Sequence, residues 1–175
     1  MLTSRLATLD DLPALKDLMA LAIGELQRSF LTPDEIEASR AVMGLDTQLV
    51  RDGTYFVIEH DGQLAGCGGW SRRATLYGGD HSADLREPRL LDTATDAARV
   101  RAMYTHPDFT RRGVGAMIIE KAEQAARDEG FTRAELMATL SGEPLYRRCG
   151  YEEIERVFAD VGEVRVPLIR MGKAL

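Results

Sequence analysis

Cysteine is scarce in this sequence: 175 residues hold two, Cys67 and Cys149. A small domain stapled for an oxidising compartment carries more, so a reduced, cytoplasmic setting is expected. Long apolar runs are absent too. The longest near the N-terminus, Leu18 to Gly24, is too short to cross a bilayer. Met1 to Arg5 lacks the apolar core of a signal peptide, and no membrane partner is expected. Histidine is limited to His60, His81 and His106, which show no metal-ligand spacing, and the two cysteines are far apart, so no metal is expected. Positive charge is not in excess. The formal net charge of -6 argues against nucleic acid as a partner and leaves at most a mild preference for cationic substrates.

What remains is the composition of an ordinary globular chain, 45% hydrophobic and 29% charged, long enough for one domain over residues 1–175 with a sizeable core. Ser4 to Ala7 reads as a first strand. Thr8 and Asp11 stand at capping-box spacing ahead of Leu12, Leu15, Met19, Ala22 and Leu26, an inward stripe at helical period. Thr32-Pro33-Asp34-Glu35 starts a second helix, expected to run to Val42 or Met43 before Gly44. Asp46 to Arg51 adds a short helical turn. Thr54 to His60 and Gln63 to Trp70 flank Asp61-Gly62, a hairpin signal. Gly66, Gly68 and Gly69 in the return strand suggest a bulge or the close approach of another group.

Arg72 to Ala97 is polar and long for a compact domain. It reads equally as a cover on the substrate side or as a disordered insertion. Arg99 to Thr105 is a strand ended by Pro107. Gly113 to Glu129 is a helix with Val114, Ile118, Ala122 and Ala125 inward, and Glu123 and Arg127 spaced for an exposed ion pair. Ala134 to Leu140 is a strand, Leu145 to Cys149 a short helix, and Glu152 to Phe158 and Val164 to Met171 two last strands. This order predicts an α/β fold, a mixed sheet covered by helices. Trp70, the only tryptophan, is expected in the core rather than in a pocket.

Chemistry concentrates in Thr105-His106-Pro107-Asp108-Phe109-Thr110-Arg111-Arg112-Gly113-Val114-Gly115-Ala116. A strand ends, a basic glycine-bearing loop follows, and a helix begins at once. The first turn of a helix has free N–H groups and a partial positive charge, which suit phosphate. Gly113 and Gly115 let an anion approach the backbone, and Arg111 and Arg112 add donors. A nucleotide P-loop would need Gly-Lys-Ser/Thr, and a dinucleotide fingerprint a third glycine where Ile118 stands.

The segment resembles the acetyl-CoA loop of the GNAT superfamily, Arg/Gln-x-x-Gly-x-Gly/Ala, with Thr110 a departure at the first position. Leu145-Tyr146-Arg147-Arg148-Cys149-Gly150-Tyr151 is similar to the family's tyrosine, three residues, glycine, aromatic signature. Element order extends the resemblance over nearly the whole chain. It implies a mostly antiparallel sheet with helices on both faces, splayed at its central parallel strands. It implies acetyl-CoA as co-substrate, pantetheine contacts from Met103, Tyr104 and Thr105, and pyrophosphate contacts from Arg111, Arg112, Gly113, Val114, Gly115 and Ala116. Ser141 stands where the family often has an asparagine touching pantetheine. A homodimer is expected on this resemblance alone.

On that reading an amine, borne by a small molecule or a peptide, attacks the thioester directly. Coenzyme A leaves as a thiolate, whose parent thiol has a pKa of about 8.5, and the Tyr146 hydroxyl can protonate it. Glu59, Asp96, His106 and Glu143 are candidates for a base, with a water chain equally open. The alternatives are the same fold moving a larger acyl group, and a non-catalytic acyl-CoA sensor.

Overall fold

The computed structural model describes residues 1–175. Strand β1 spans Leu2–Leu6, two residues earlier than expected at its start; Ala7 still donates its N–H to the Tyr55 carbonyl at 2.8 Å. A 3₁₀ turn precedes α1, Leu12–Leu26. Asp11 accepts the Thr8 N–H at 2.7 Å, and Arg5 beside it holds the Asp11 carboxyl down at about 2. Leu15, Leu18, Met19, Ala22 and Ile23 form the buried stripe.

Helix α2, Pro33–Ser39, starts at the expected capping box: Glu35 accepts from the Thr32 N–H and returns its own to the Thr32 hydroxyl. It ends three or four residues early. Past Ser39 the chain tightens into turns, the N–H groups of Arg40, Ala41 and Val42 bonding three residues back to Glu37, Ala38 and Ser39, while the His81 ring and the Ser82 hydroxyl take the carbonyls of Arg40 and Ala41, each at 2.7 Å. The Gly44 N–H turns away to the Tyr104 hydroxyl at 2.8 Å. Asp46 then caps α3, Thr47–Arg51.

Strands β2, Tyr55–His60, and β3, Gln63–Ser71, form the hairpin. Both turn residues have positive φ, as Asp-Gly turns require: Asp61 at 49° and Gly62 at 83°. The β3 glycines serve close approach. A Cβ on Gly66 would stand 2.4 Å from Val114 Cγ1, and one on Gly68 2.7 Å from Ile118 Cγ2. Helix α4, Val114–Asp128, therefore lies directly on bare backbone. Its buried face is Val114, Ile118, Ile119, Ala122, Glu123 and Ala126. Glu123 is not in an exposed pair with Arg127. It is buried and bound to Lys173 at 2.5 Å, because its register turns it toward the sheet.

Strands β4, Ala98–Thr105, β5, Arg133–Ala138, β6, Glu152–Val161, and β7, Val164–Ala174, complete the sheet, with α5, Glu143–Arg148, before β6. The strand order is β1-β2-β3-β4-β5-β7-β6, with only β4 and β5 parallel. Helix α1 packs on one face over Tyr55, Val57, Cys67 and Tyr104, and α4 on the other over Ile58, Ala65, Val100 and Leu136. Trp70 is a core residue, edge-on to Phe131 at 5.9 Å. No helix is long and apolar enough to cross a membrane.

The polar segment 72–97 is packed, not disordered. Arg99 donates to the Ala74 carbonyl. Arg101 donates to those of Thr75 and Gly78. Thr47 bonds Asp80, and Arg73 pairs with Asp52 at 2.8 Å. Ala74 and Leu91 add apolar anchors beside Trp70.

Candidate active site

The parallel pair β4–β5 is hydrogen-bonded through two residue pairs alone, Ala98↔Ala134 and Arg99↔Glu135. Beyond them the strands part. The cause lies in β4. Cys67 faces Tyr104 while Gly69 faces Arg101, so β4 holds one residue more than β3 over this stretch. Ala102 takes the strain at φ 52°, at a cost of about 1–2 kcal/mol for an L-residue. Tyr55 holds the bulge by donating its hydroxyl to the Ala102 carbonyl at 2.5 Å. A bulge bends its strand, and here it opens a wedge.

A cavity of about 80 Å³ lies in that wedge. Arg101, Ala102, Met103 and Tyr104 line it from β4, and Met137 and Thr139 lie across the gap. Val42, Met43, Leu76 and Tyr77 cover it, and Tyr146 stands at its side. Of the strand residues singled out in the sequence, Met103 and Tyr104 face the cavity, and Thr105 lies one residue beyond, paired to Gly66. Ser141 is outside the lining; its hydroxyl lies 3.1 Å from that of Thr139, which does line it.

The basic loop leaves the end of β4. After a 3₁₀ turn at Pro107–Phe109, Arg111 (φ 61°) and Gly113 (φ 86°) both adopt left-handed backbone. The N–H groups of Arg111, Arg112, Gly113, Val114, Gly115 and Ala116 donate to no backbone carbonyl. Left-handed residues within such a loop turn successive N–H groups into one concavity, and the helix start adds its dipole. Arg111 and Arg112 are exposed, and Arg112 lies over the Phe109 ring at 5.4 Å. The two glycines differ in purpose. Gly113 has open space and needs glycine for its φ. Gly115 is required by packing, since a Cβ there would meet Leu145 Cδ2 at 2.4 Å. That contact seats α5 on the first turn of α4, which brings the loop and Tyr146 to one end of the sheet.

Tyr146 is half-buried, edge-on to Tyr151 with ring centroids 6.2 Å apart. Its hydroxyl makes no hydrogen bond within the protein, and the residue lines the cavity. Burial, aided by the neighbouring Cys149, pushes its phenol above the ordinary range. It is therefore a protonated donor at neutral pH.

None of the four candidate bases lines the cavity. Glu59 pairs with Arg5, and Asp96 caps the turn at Asp92. His106 accepts the Asp108 N–H, and Glu143 binds Arg147 and Arg156. Sequence reasoning missed Arg101, Thr139 and the Asp46 carboxylate that pairs with Arg101. The one signal was an arginine in the middle of a strand whose neighbours Ala98 and Val100 are core residues.

Residues 18–151 match the family model for the acetyltransferase (GNAT) family. An uncharacterized N-acetyltransferase of Chlorobaculum tepidum is 25% identical over 109 residues, 62% of this chain; the match spans only 55% of that relative's length. Among solved structures, a GCN5-related N-acetyltransferase from Rhodopseudomonas palustris superimposes with a TM-score of 0.73 at 17% identity, over 99% of this chain and 95% of that one. A PaiA N-acetyltransferase from Thermoplasma acidophilum in complex with coenzyme A does so with a TM-score of 0.66 at 12% identity, over 100% and 99%. The chain belongs to the GNAT acetyltransferase family.

Proposed function

We propose that this protein is a cytoplasmic N-acetyltransferase, one domain over residues 1–175, that moves the acetyl group of acetyl-CoA to an amine by direct attack on the thioester. The observation that carries this is the wedge between β4 and β5, with unbonded loop amides at one end and the Tyr146 hydroxyl at its side. The cysteines are unpaired, as a reducing compartment would keep them. A homodimer rests on family resemblance alone.

The roles follow from the chemistry of each group. The amides of Arg111 to Ala116 hold the pyrophosphate, helped by the two arginine side chains. Backbone groups of Met103, Tyr104 and Thr105, left without partners on β5, take the pantetheine arm as a substitute strand; Ser141 lies beside Thr139 near its far end. Acetyl-CoA supplies the electrophilic thioester. The amine nitrogen forms a bond to the carbonyl carbon, and the carbon–sulfur bond breaks. Backbone N–H groups in the wedge stabilise the oxygen's developing charge. Tyr146 gives its proton to the departing sulfur, and the amine's surplus proton leaves through water. The acceptor is a small molecule or a peptide.

Two tests bear on the cofactor side. Acetyl-CoA at 100 times its Kd adds about 2.7 kcal/mol to the folded state, so the melting temperature should rise by roughly 5–10 °C for a chain of this size. An unchanged melting temperature at millimolar acetyl-CoA would remove the assignment. Gly113→Asp should weaken acetyl-CoA at least tenfold, about 1.4 kcal/mol. Space exists for the side chain, and aspartate tolerates positive φ better than most residues, so the fold should survive. Titration calorimetry with circular dichroism decides; unchanged affinity in a folded variant would place the pyrophosphate elsewhere.

A further inference from the structure

The cavity beside Tyr146 has an unusual charge balance. The whole chain carries -6, yet no carboxylate is among the lining residues, and the one charged group there is Arg101. Arg101 is 3% exposed. Its Nη2 donates to Asp46 at 2.9 Å and to the Gly78 carbonyl at 2.9 Å, and its Nη1 to the Thr75 carbonyl at 3.3 Å. A guanidinium has five N–H donors. The Nε–H of Arg101 makes no hydrogen bond within the protein. Asp46 does not neutralise Arg101 alone, because Arg86 also binds it, at 3.1 Å. Two cations share one anion.

The other polar groups of the lining are mostly hydroxyl donors. Tyr104 accepts the Gly44 N–H, which leaves its own O–H to give. Burial keeps that phenol protonated. The remaining walls are apolar: Val42, Leu76, Met137 and Leu168. Such a space disfavours a cationic side chain, which would meet like charge and find no carboxylate. It suits a compact apolar body that carries an anion of its own.

We propose that the acceptor is an apolar α-amino acid, its carboxylate received by the Arg101 guanidinium and the Tyr104 hydroxyl and its side chain among the apolar walls. This rests on the acetyltransferase reading. The α-amine, in its neutral form, then attacks the thioester beside Tyr146. A carbon–nitrogen bond forms, coenzyme A departs as the thiol, and the amine's proton passes to solvent. The α-amine reacts in the neutral fraction that proton loss to solvent supplies, so no side-chain base in the cavity is invoked.

The test compares leucine, methionine and phenylalanine with their carboxamides, following release of the coenzyme A thiol. The carboxamides have the less basic amines, so amine basicity alone would favour them. The acids are expected to have at least tenfold higher kcat/KM, and lysine and spermidine to be poorer still. N-acetylleucine should likewise bind the coenzyme A complex at least tenfold more tightly than N-acetylleucinamide, a comparison free of any amine titration. Arg101→Lys keeps the charge beside Asp46 but loses the fork; it should cut the acid-over-amide preference to under threefold. Carboxamides equal to or better than the acids, in turnover or in product binding, would overturn this inference and leave acetyl transfer standing. Transfer to no amine by a protein that still binds acetyl-CoA would overturn the catalytic reading, and this one with it.

Discussion

Tyr146→Phe is expected to lower kcat about 100-fold, at the low end of what a general acid contributes, and to leave the affinity for acetyl-CoA within about twofold. The substitution keeps the ring and its edge-on contact with Tyr151. It deletes a hydroxyl that no protein group needs, so the fold loses almost nothing. On the proposed role, what is lost is a proton donor that acts only as the sulfur departs, and such a loss falls on kcat and kcat/KM together. The low end is expected because water in the wedge can partly substitute. The pH profile carries a second signature. The raised Tyr146 phenol remains protonated past the ordinary tyrosine value of about 10. Wild-type activity should rise as the amine deprotonates and show no falling limb below about pH 10. Steady-state kinetics decide, with circular dichroism to confirm folding. A folded variant within twofold of wild-type kcat would reduce Tyr146 to a packing residue.

Asp46→Ala should cost about 3–5 kcal/mol of stability, the range for breaking a buried ion pair from one side. The Asp46 side chain is 1% exposed and that of Arg101 2%. Arginine cannot shed its proton to escape a dry site, so the variant must bury an unpaired charge or open the interior to water. Three further contacts go with the carboxylate: the cap on α3 at the Gln48 N–H, the hold on Arg86, and through Arg101 the anchoring of Thr75 and Gly78. Urea unfolding measures the loss. Stability within 1 kcal/mol of wild type would mean that Arg101 finds another partner or is solvated where it stands.

Much of this fold is legible in local patterns. The Asp61-Gly62 turn, the capping box at Thr32 and the helix after Gly113 all follow from short-range rules, and all occur within a residue or two of their expected places. The misses have long-range causes. Helix α2 gives way to tight turns after Ser39, in a stretch held from some forty residues away by His81 and Ser82. Glu123 looked like a surface residue because its partner, Lys173, is fifty positions on. On the proposed roles, the loop that would hold the cofactor's pyrophosphate was visible in the sequence because one contiguous segment, Arg111 to Ala116, builds it. The acceptor side proposed above was not, because Arg101, Asp46, Tyr77 and Thr139 come from four separate stretches of chain that only tertiary packing brings together.

The order of the strands bears on how the molecule is made. Strands β1 to β4 are neighbours in both sequence and space, and α4 lies across β2, β3 and β4. A chain emerging N-terminus first can close this half, residues 2–128, before β5 has emerged in full. Its β2–β3 hairpin pairs at short sequence separation, the kind that forms fastest, while β1 joins β2, and β4 joins β3, across longer stretches of chain. The segment after Gly130 then adds as a unit, joining β4 through the two residue pairs at Ala98 and Arg99. On the proposed roles, the anion-binding loop belongs to the early half and the proton donor to the late one. The nascent protein thus has a place to grip the nucleotide end of its co-substrate before it has the means to release a thiol.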